Sequence, residues 1–220
     1  MRFVRSLSML LLLAAPLAAQ AKKGTKTADP DQPVKGAGNL PAGWSAQTDE
    51  KGKEADVKFV VMDKGYHVTL GPATILWRAA DKTDGSFHAV GLFTQTKPTA
   101  HAEGYGLFVG GQGLGGESEK YTYFLIRQDG KFLIKKRDGA STSNITSTWT
   151  AHPAIVLPNV AGQSTNRLEV TIGKDRLSFA VNGKEVYTAD PRLIDAKGVV
   201  GLRVNHNLDV HIDEFGVHKQ

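Results

Sequence analysis

The stretch from Asn166 to Val217 alternates apolar and polar residues, which is the period of a β-strand and not that of a helix. Alternating runs occur at 166–173, 176–181, 184–187, 198–205 and 208–217. The dipeptide Asn182-Gly183 separates the second run from the third, and Asn-Gly is a strong signal for a two-residue hairpin turn. The stretch therefore predicts a continuous antiparallel meander. Its expected core face consists of Val200, Leu202, Val204, Val210 and Ile212.

The strand period also dominates the chain between residue 40 and this meander. Further candidate strands lie at 43–48, 57–62, 66–70, 74–80, 87–95, 105–109, 121–128, 131–137 and 154–157. Turn residues such as Asp84-Gly85 and Asp129-Gly130 separate them, and no ten-residue window has the apolar spacing of a helix. Many short strands with frequent turns are typical of a two-sheet sandwich or jelly roll.

Two groups of residues resemble known families. The C-terminal order "N-x-L-x-V … F-x-V-N-G … G-x-V-G-L-x-V" resembles concanavalin A-like, or laminin G-like, domains. The segments 104–111, 121–127 and 129–135 resemble the bacterial secreted domain called 3-keto-disaccharide hydrolase-like, which is related to family 16 glycoside hydrolases. This resemblance spans about residues 43 to 217. It implies an all-β fold, a concanavalin A-like jelly-roll β-sandwich of two antiparallel sheets.

The N-terminus has the pattern of an export signal. Arg2 and Arg5 precede an apolar run that is too short for a membrane span, and Ala19-Gln20-Ala21 matches a cleavage site. We predict a signal peptide at 1–21, a disordered linker at 22–40 and the sandwich domain at 41–220. The chain contains no cysteine, which fits a secreted or periplasmic bacterial protein without disulfides. No membrane span is expected in the mature chain.

The charge of the chain favours no nucleic-acid partner. Its formal net charge is +5, but no basic stripe with interleaved aromatic residues is present. The one basic run, Lys135-Lys136-Arg137, lies in a predicted strand and is interpreted as a solvated edge. A carbohydrate, either a di- or a polysaccharide, is the expected partner.

Sugars are held by aromatic faces and by side chains that hydrogen-bond the hydroxyl groups. If Phe124 and Ile126 face the core, alternation places Tyr123 and Arg127 on the other face of the sheet. The same argument places Arg203 and Asn205 there, with His211 arriving from the next strand. The predicted ligand-binding residues are Arg127, Arg203, Asn205, His211, Tyr123, Tyr105 and Trp77.

Catalysis and metal binding stay open at this point. The carboxylate run E-x-D-x-x-E of family 16 enzymes does not occur in the sequence, so catalytic residues are unknown and a non-catalytic module is favoured. Asp209, His211 and Asp213 share a strand face that either holds a divalent ion or is a solvated polar face, and the second interpretation is favoured. No metal and no cofactor are therefore predicted.

The glycines at 111, 113 and 116 match G-x-G-x-x-G, but charged residues and a strand follow, not the helix that a dinucleotide site requires. We interpret this segment as a flexible loop that can cover a groove. Three functional hypotheses result. The first is a secreted carbohydrate-binding jelly roll, the second a glycoside-cleaving hydrolase of the 3-keto-disaccharide type, and the third a laminin G-like adhesion or assembly module.

Overall fold

A computed structural model describes residues 29–51 and 53–220. The predicted signal peptide at 1–21 lies outside the described residues. In this part of the chain no helix is long and apolar enough to span a lipid bilayer. The secondary structure consists of strands and two short 3-10 helices, Glu54–Asp56 and Pro191–Leu193.

The strands form two antiparallel sheets. The eight-stranded sheet contains β1 (Trp44–Thr48), β4 (Thr74–Thr83), β14 (Gly198–Val204), β6 (Gly104–Gln112), β7 (Lys120–Arg127), β8 (Lys131–Asp138) and β10 (Thr150–Ala151) in spatial order, with β9 (Ser141–Asn144) also paired to β8. The seven-stranded sheet contains β13 (Lys184–Ala189), β12 (Leu177–Val181), β11 (Ser164–Ile172), β5 (Phe87–Gln95), β15 (Asp209–Lys219), β3 (Gly65–Leu70) and β2 (Val57–Met62).

The core lies between the two sheets, and each strand contributes alternate side chains to it. The five residues that alternation assigned to the core face of the C-terminal strands are all fully buried there. The largest buried side chains include Phe59, Phe87, Phe93, Phe124 and Phe179. The chain is thus an all-β, concanavalin A-like jelly-roll sandwich, as predicted.

The prediction of a continuous C-terminal meander was wrong in one respect. β11, β12 and β13 are neighbours in the seven-stranded sheet, but β14 crosses to the eight-stranded sheet and lies between β4 and β6. β15 then returns to the seven-stranded sheet between β5 and β3. Alternation shows which face of a strand is buried, but the two sheets bury their inner faces in the same core. The period alone therefore does not assign a strand to a sheet.

The predicted strand at 154–157 was also wrong. This segment is an irregular connection between β10 and β11, and only Ile155 in it is buried. The amide of Val156 donates to Asn166 Oδ1 at 2.8 Å, and its carbonyl accepts from Asn166 Nδ2 at 3.1 Å. A buried side chain thus satisfies the backbone groups that a neighbouring strand would otherwise pair.

The segment 29–40, predicted as part of a disordered linker, has no strand but contacts the domain. The amide of Gln32 donates to Asn207 Oδ1 at 2.9 Å, and Asn207 Nδ2 donates to the carbonyl of Pro30 at 3.1 Å. Gly38 donates to the carbonyl of Val57 at 3.3 Å. This part of the segment is therefore packed against the sandwich, and the domain boundary at residue 41 stays a prediction.

Candidate functional site

The outer face of the eight-stranded sheet carries a second group of buried apolar residues, which we call the outer cluster. It consists of Ile75, Phe108, Tyr121, Tyr123 and Leu125, with Trp77, Leu114 and Trp149 packed against it. An outer sheet face that is open to water is normally polar. This face is therefore covered, and the cover comes from loops.

Arg203 is the central charged group on this face. It lies opposite Ile75 on β4 and Gly106 on β6, and the residue is only 6% exposed. Its Nη1 and Nη2 donate to the two carboxylate oxygens of Asp49 at 2.7 and 2.5 Å. Nη1 also lies 3.4 Å from the hydroxyl of Tyr121. A bidentate pair of this kind is the favourable way to bury a guanidinium.

A second ion pair continues this network. Arg137 Nε lies 2.8 Å from Glu119 Oε1, and Arg137 Nη1 lies 3.6 Å from Asp49 Oδ1. The charges therefore alternate in the order Arg203, Asp49, Arg137, Glu119. The Glu119 side chain is 5% exposed, and its Oε2 has no hydrogen-bond partner among the described residues. A buried carboxylate oxygen without a donor is unfavourable, so this oxygen has an unused capacity to accept a hydrogen bond.

The two carboxyl groups of the network are shifted in opposite directions. Burial acts to raise the pKa of Asp49, but the hydrogen bond and charge of Arg203, together with the charge of Arg137, outweigh it and lower that pKa. Burial raises the pKa of Glu119, and the attraction of Arg137 does not offset it. Burial likewise raises the pKa of Tyr121, to about 12. The site thus holds an ionised carboxylate beside one that protonates more readily.

Asp49, Glu119 and Arg137 line an open cavity of about 560 Å³, which we call the polar pocket. Its lining consists of Gln47, Thr48, Asp49, Lys51, Gly116, Glu117, Glu119, Arg137, Gly139 and Ala140. The lining comes from the end of β1, the loop between β6 and β7, and the turn between β8 and β9. No aromatic side chain of the described chain is among these residues.

The loop at 113–119 forms one wall of the polar pocket by reaching across the sheet to β1. The amide of Gly115 donates to Gln47 Oε1 at 2.7 Å, and Lys51 Nζ lies 2.7 Å from Glu117 Oε1. Gly113 and Gly115 have φ angles of 60° and 86°, the left-handed region that glycine adopts readily. β7 follows the loop, so the glycine pattern belongs to a covering loop and not to a dinucleotide site.

Arg203 and Tyr123 lie on the outer face of the eight-stranded sheet, as alternation predicts, and Trp77 lies on that face as well. Asn205 follows β14, where its Oδ1 accepts from Arg203 Nε at 3.3 Å. Arg127 is on the same face, but it lies two strands away from Arg203, on β7, where it pairs with Gly104. It is bound to Asp129 at 2.6 and 2.8 Å, and its guanidinium carbon lies 4.4 Å from the ring centre of Trp149.

The structure contradicts the placement of two predicted residues. Tyr105 faces the core between the sheets and is 1% exposed, so no ligand on the outer face contacts it. Its strand reads Gly-Tyr-Gly-Leu-Phe-Val, and every residue from 104 to 109 is buried, so no alternation marks its outer face. His211 lies on the outer face of the seven-stranded sheet, opposite His67, because β15 does not neighbour β14. Arg127, Arg203 and His211 therefore do not share one groove.

Sequence reasoning missed the main residues of the pocket. Asp49 and Glu119 lie in loops, where no period indicates the direction of a side chain. Arg137 was interpreted as part of a solvated edge. The hairpin between β7 and β8 pairs it with Tyr121, however, which places it on the covered face. The turn pattern did not give this register, because a two-residue loop at Asp129-Gly130 would pair Arg137 with Thr122, whereas the loop spans three residues, 128–130.

The group of Asp209, His211 and Asp213 does not converge on one point. Asp209 binds His67 at 3.0 Å and Lys97 at 2.7 Å, whereas Asp213 lies 3.2 Å from His211. Within residues 29–51 and 53–220, no group of three or more His, Cys, Asp or Glu side chains is placed to share a metal ion.

Comparisons with known proteins show the fold. No protein-family model and no curated protein matches the sequence. The resemblance to the 3-keto-disaccharide hydrolase-like domain therefore stays a prediction.

Among solved structures, the chain is similar to carbohydrate binding module CBM66 from Bacillus subtilis, with 12% identity, a TM-score of 0.59, and coverage of 80% of this chain and 96% of that one. A Bacillus subtilis protein of unknown function with a galectin-like fold has 14% identity, a TM-score of 0.56, and coverage of 80% and 89%. A putative glycosyl hydrolase from Parabacteroides distasonis has 11% identity, a TM-score of 0.50, and coverage of 80% and 100%. At these identities the likeness establishes a shared jelly-roll architecture.

Proposed function

We propose that the chain is a carbohydrate-binding jelly roll whose ligand occupies the polar pocket. The observation that carries this proposal is Glu119 Oε2, a buried carboxylate oxygen without a partner in a cavity that also presents Arg137 and Asp49. A sugar offers many hydroxyl groups that both donate and accept hydrogen bonds, which is the chemistry that such a mixed charged lining needs. The similarity to a carbohydrate binding module supports the proposal.

The proposed contacts are polar and not aromatic. A sugar hydroxyl donates to Glu119 Oε2, and the Arg137 guanidinium donates to a neighbouring sugar oxygen. Tyr121 and Tyr123 are 3% and 8% exposed and pack below Arg203, so they support the ion-pair network and do not stack on the ligand. Trp77 and Arg127, although on the same face, lie outside the lining of the pocket.

A calorimetric screen with neutral di- and oligosaccharides tests this proposal. We expect a binding sugar, and we expect Glu119→Gln to weaken it about tenfold or more, because a hydrogen bond to a charged group contributes about 1.5–3 kcal/mol. Glu117→Gln is the matched control, since Glu117 lies on the exposed rim of the same loop. The proposal fails if no sugar binds, or if both variants bind as the wild type does. If no sugar binds, the hypothesis of a laminin G-like adhesion or assembly module is favoured instead.

A second candidate function is glycoside cleavage, and it rests on two carboxyl groups, Asp49 and Glu119, that line the same cavity on either side of Arg137 and whose pKa values are shifted in opposite directions. Two carboxyl groups with separated pKa values are the arrangement that glycosidases use for an acid and a base or nucleophile. Glu119 would protonate the leaving oxygen, and Asp49 would act as the ionised partner. Incubation with glycosides, including 3-keto-glucosides, and measurement of released sugar tests this role. Turnover that survives in both Glu119→Gln and Asp49→Asn would eliminate it, and binding without turnover leaves the first proposal in place.

We also propose that the protein is exported, on the basis of the charged and apolar pattern of residues 1–21. Mass spectrometry of protein from the periplasm or the medium of a bacterial host tests this. A mature N-terminus at Lys22 is expected, and retention of the full chain in the cytoplasm would contradict export.

A further inference from the structure

Four histidines form two cross-strand pairs on the outer face of the seven-stranded sheet. His211 on β15 lies directly opposite His67 on β3, and His218 on β15 lies opposite His88 on β5. The ring centres are 6.0 Å apart in the first pair and 6.1 Å apart in the second. The polar pocket is on the other sheet, so neither pair belongs to the proposed sugar site.

Each ring of the first pair is held by its own carboxylate. His67 Nε2 lies 3.0 Å from Asp209 Oδ1, and His211 Nε2 lies 3.2 Å from Asp213 Oδ1. A carboxylate accepts and does not donate, so it fixes the proton of each ring on Nε2. The lone pair of each neutral ring is then on Nδ1.

Both Nδ1 atoms are buried and have no hydrogen-bond partner among the described residues. No other imidazole nitrogen in the described part of the chain is in this state. A buried acceptor without a donor costs about 1–3 kcal/mol. Two such acceptors on facing rings are therefore an anomaly that a shared ligand would remove.

We propose that His67 and His211 bind one divalent transition-metal ion through their Nδ1 atoms. Imidazole nitrogen is a preferred ligand of Zn²⁺, Cu²⁺ and Ni²⁺. Histidines that bind metals typically donate the other ring N–H to a carboxylate, which is the role that Asp209 and Asp213 have here. With a metal–nitrogen distance of about 2.0–2.1 Å, two imidazole ring centres bound to a tetrahedral ion lie roughly 5 Å apart, so metal binding would draw these two rings together by about 1 Å.

The rest of the coordination shell must come from water. No third His, Cys, Asp or Glu of the described chain completes a group around these two rings. Asp209 is held in place by Thr69 and Lys97 as well as by His67, so it supports the ring and is not a free ligand. The affinity is therefore expected to be below that of a four-ligand structural zinc site.

The second pair is the internal control. His88 Nε2 lies 2.9 Å from Glu169 Oε2, but His218 is exposed and neither Nδ1 is buried without a partner. Ring spacing is the same in the two pairs, so a difference in metal binding must come from the paired carboxylates and the unpartnered nitrogens.

The test is calorimetric titration of ZnCl₂, CuCl₂ and NiCl₂ into the chain without a histidine tag. We expect one ion per chain for at least one of these metals, and at least about a tenfold weaker binding in both His67→Ala and His211→Ala. Asp213→Asn is expected to weaken binding by about 10–100-fold, the effect of losing a carboxylate behind a metal-binding histidine. His88→Ala and His218→Ala are expected to bind as the wild type does.

Electron paramagnetic resonance of the Cu²⁺ form gives a second readout, namely two coordinated nitrogens in the wild type and one in His211→Ala. If the alanine variants do not fold, Asp213→Asn decides alone, because Asp213 is partly exposed and its replacement keeps the side-chain shape. No binding of any of the three ions overturns the proposal. Equal loss in the His88 and His67 variants also overturns it, since it would show only adventitious binding to surface histidines.

Discussion

Arg203 and Arg167 occupy equivalent outward positions on the two sheets, yet their side chains are 7% and 36% exposed. Arg203 lies below the pocket network and is bound by Asp49, whereas Arg167 forms ion pairs with Glu169 and Glu214 on the face of the seven-stranded sheet. Burial strengthens an ion pair but makes the loss of one partner costly, and water screens the exposed pair. The difference between the two outer faces therefore comes from the loops that cover one of them.

The largest expected effect tests this contrast directly. Arg203→Ala leaves Asp49 and Tyr121 without their main partner, and we expect the free energy of unfolding to fall by about 3 kcal/mol. Arg167→Ala, the matched change on the other sheet, is expected to cost less than about 1 kcal/mol. Urea unfolding of both variants measures the values. Equal losses would show that the loops do not separate the two faces energetically.

Asp209 is the exception on the seven-stranded sheet, because its side chain is only 10% exposed. Burial acts to raise its pKa, but hydrogen bonds from His67, Lys97 and Thr96 hold the pKa well below its usual range. Its contribution to stability is therefore present above the ordinary pKa of 3.8 and is lost as the pH falls below that value. We expect Asp209→Asn to cost about 2 kcal/mol at pH 7 and to have little effect at the lowest pH at which the fold persists. A loss that does not depend on pH would show that packing and not charge is responsible.

Glu119 in the polar pocket is expected to show the opposite pH dependence. Its raised pKa means that the folded state binds the proton more tightly than the unfolded state does. Stability is therefore lost as the pH rises from the ordinary value of 4.5 through the folded pKa. Glu119→Gln removes this loss, so we expect the stability of the variant relative to the wild type to increase as the pH rises above 4.5. Urea unfolding at several pH values measures the difference, and a constant difference would contradict the raised pKa.

The smallest expected effect concerns the rim of the same pocket. Lys51 and Glu117 form an ion pair with side chains that are 69% and 88% exposed. We expect Lys51→Ala to change the free energy of unfolding by less than about 0.5 kcal/mol. The melting temperatures of Lys51→Ala and Arg203→Ala compare the exposed ion pair at the rim with the buried ion pair below the pocket. A large loss in Lys51→Ala would mean that this contact holds the 113–119 loop in place.

The extent of correct prediction differs between strands and loops. β2 and β5 have the predicted bounds, 57–62 and 87–95, because alternation and flanking turns are local signals. Alternation also placed Tyr123 and Arg203 on an outer face. It failed for Tyr105, because a strand of buried residues between glycines carries no alternating pattern.

The candidate site was harder to predict, because it is assembled from distant parts of the chain. Asp49 reaches Arg203 across 154 positions of sequence, and no spacing rule connects them. Glu119 and Arg137 meet through the register of one hairpin. His211 was assigned to the wrong neighbours. The alternation of apolar and polar residues in β14 and β15 does not show that these two strands lie in different sheets.

The sequence by itself determined that this chain forms strands, where most of them lie, and which side chains of the alternating strands face a core. These properties follow from backbone geometry and from the burial of apolar groups, which act over a few residues. Tertiary structure alone decided which strands are neighbours and which outer face the loops cover. It thereby decided that Asp49, Arg137 and Glu119 share one pocket with Arg203 bound below it, because long-range pairing and desolvation depend on the whole sandwich and not on any one segment.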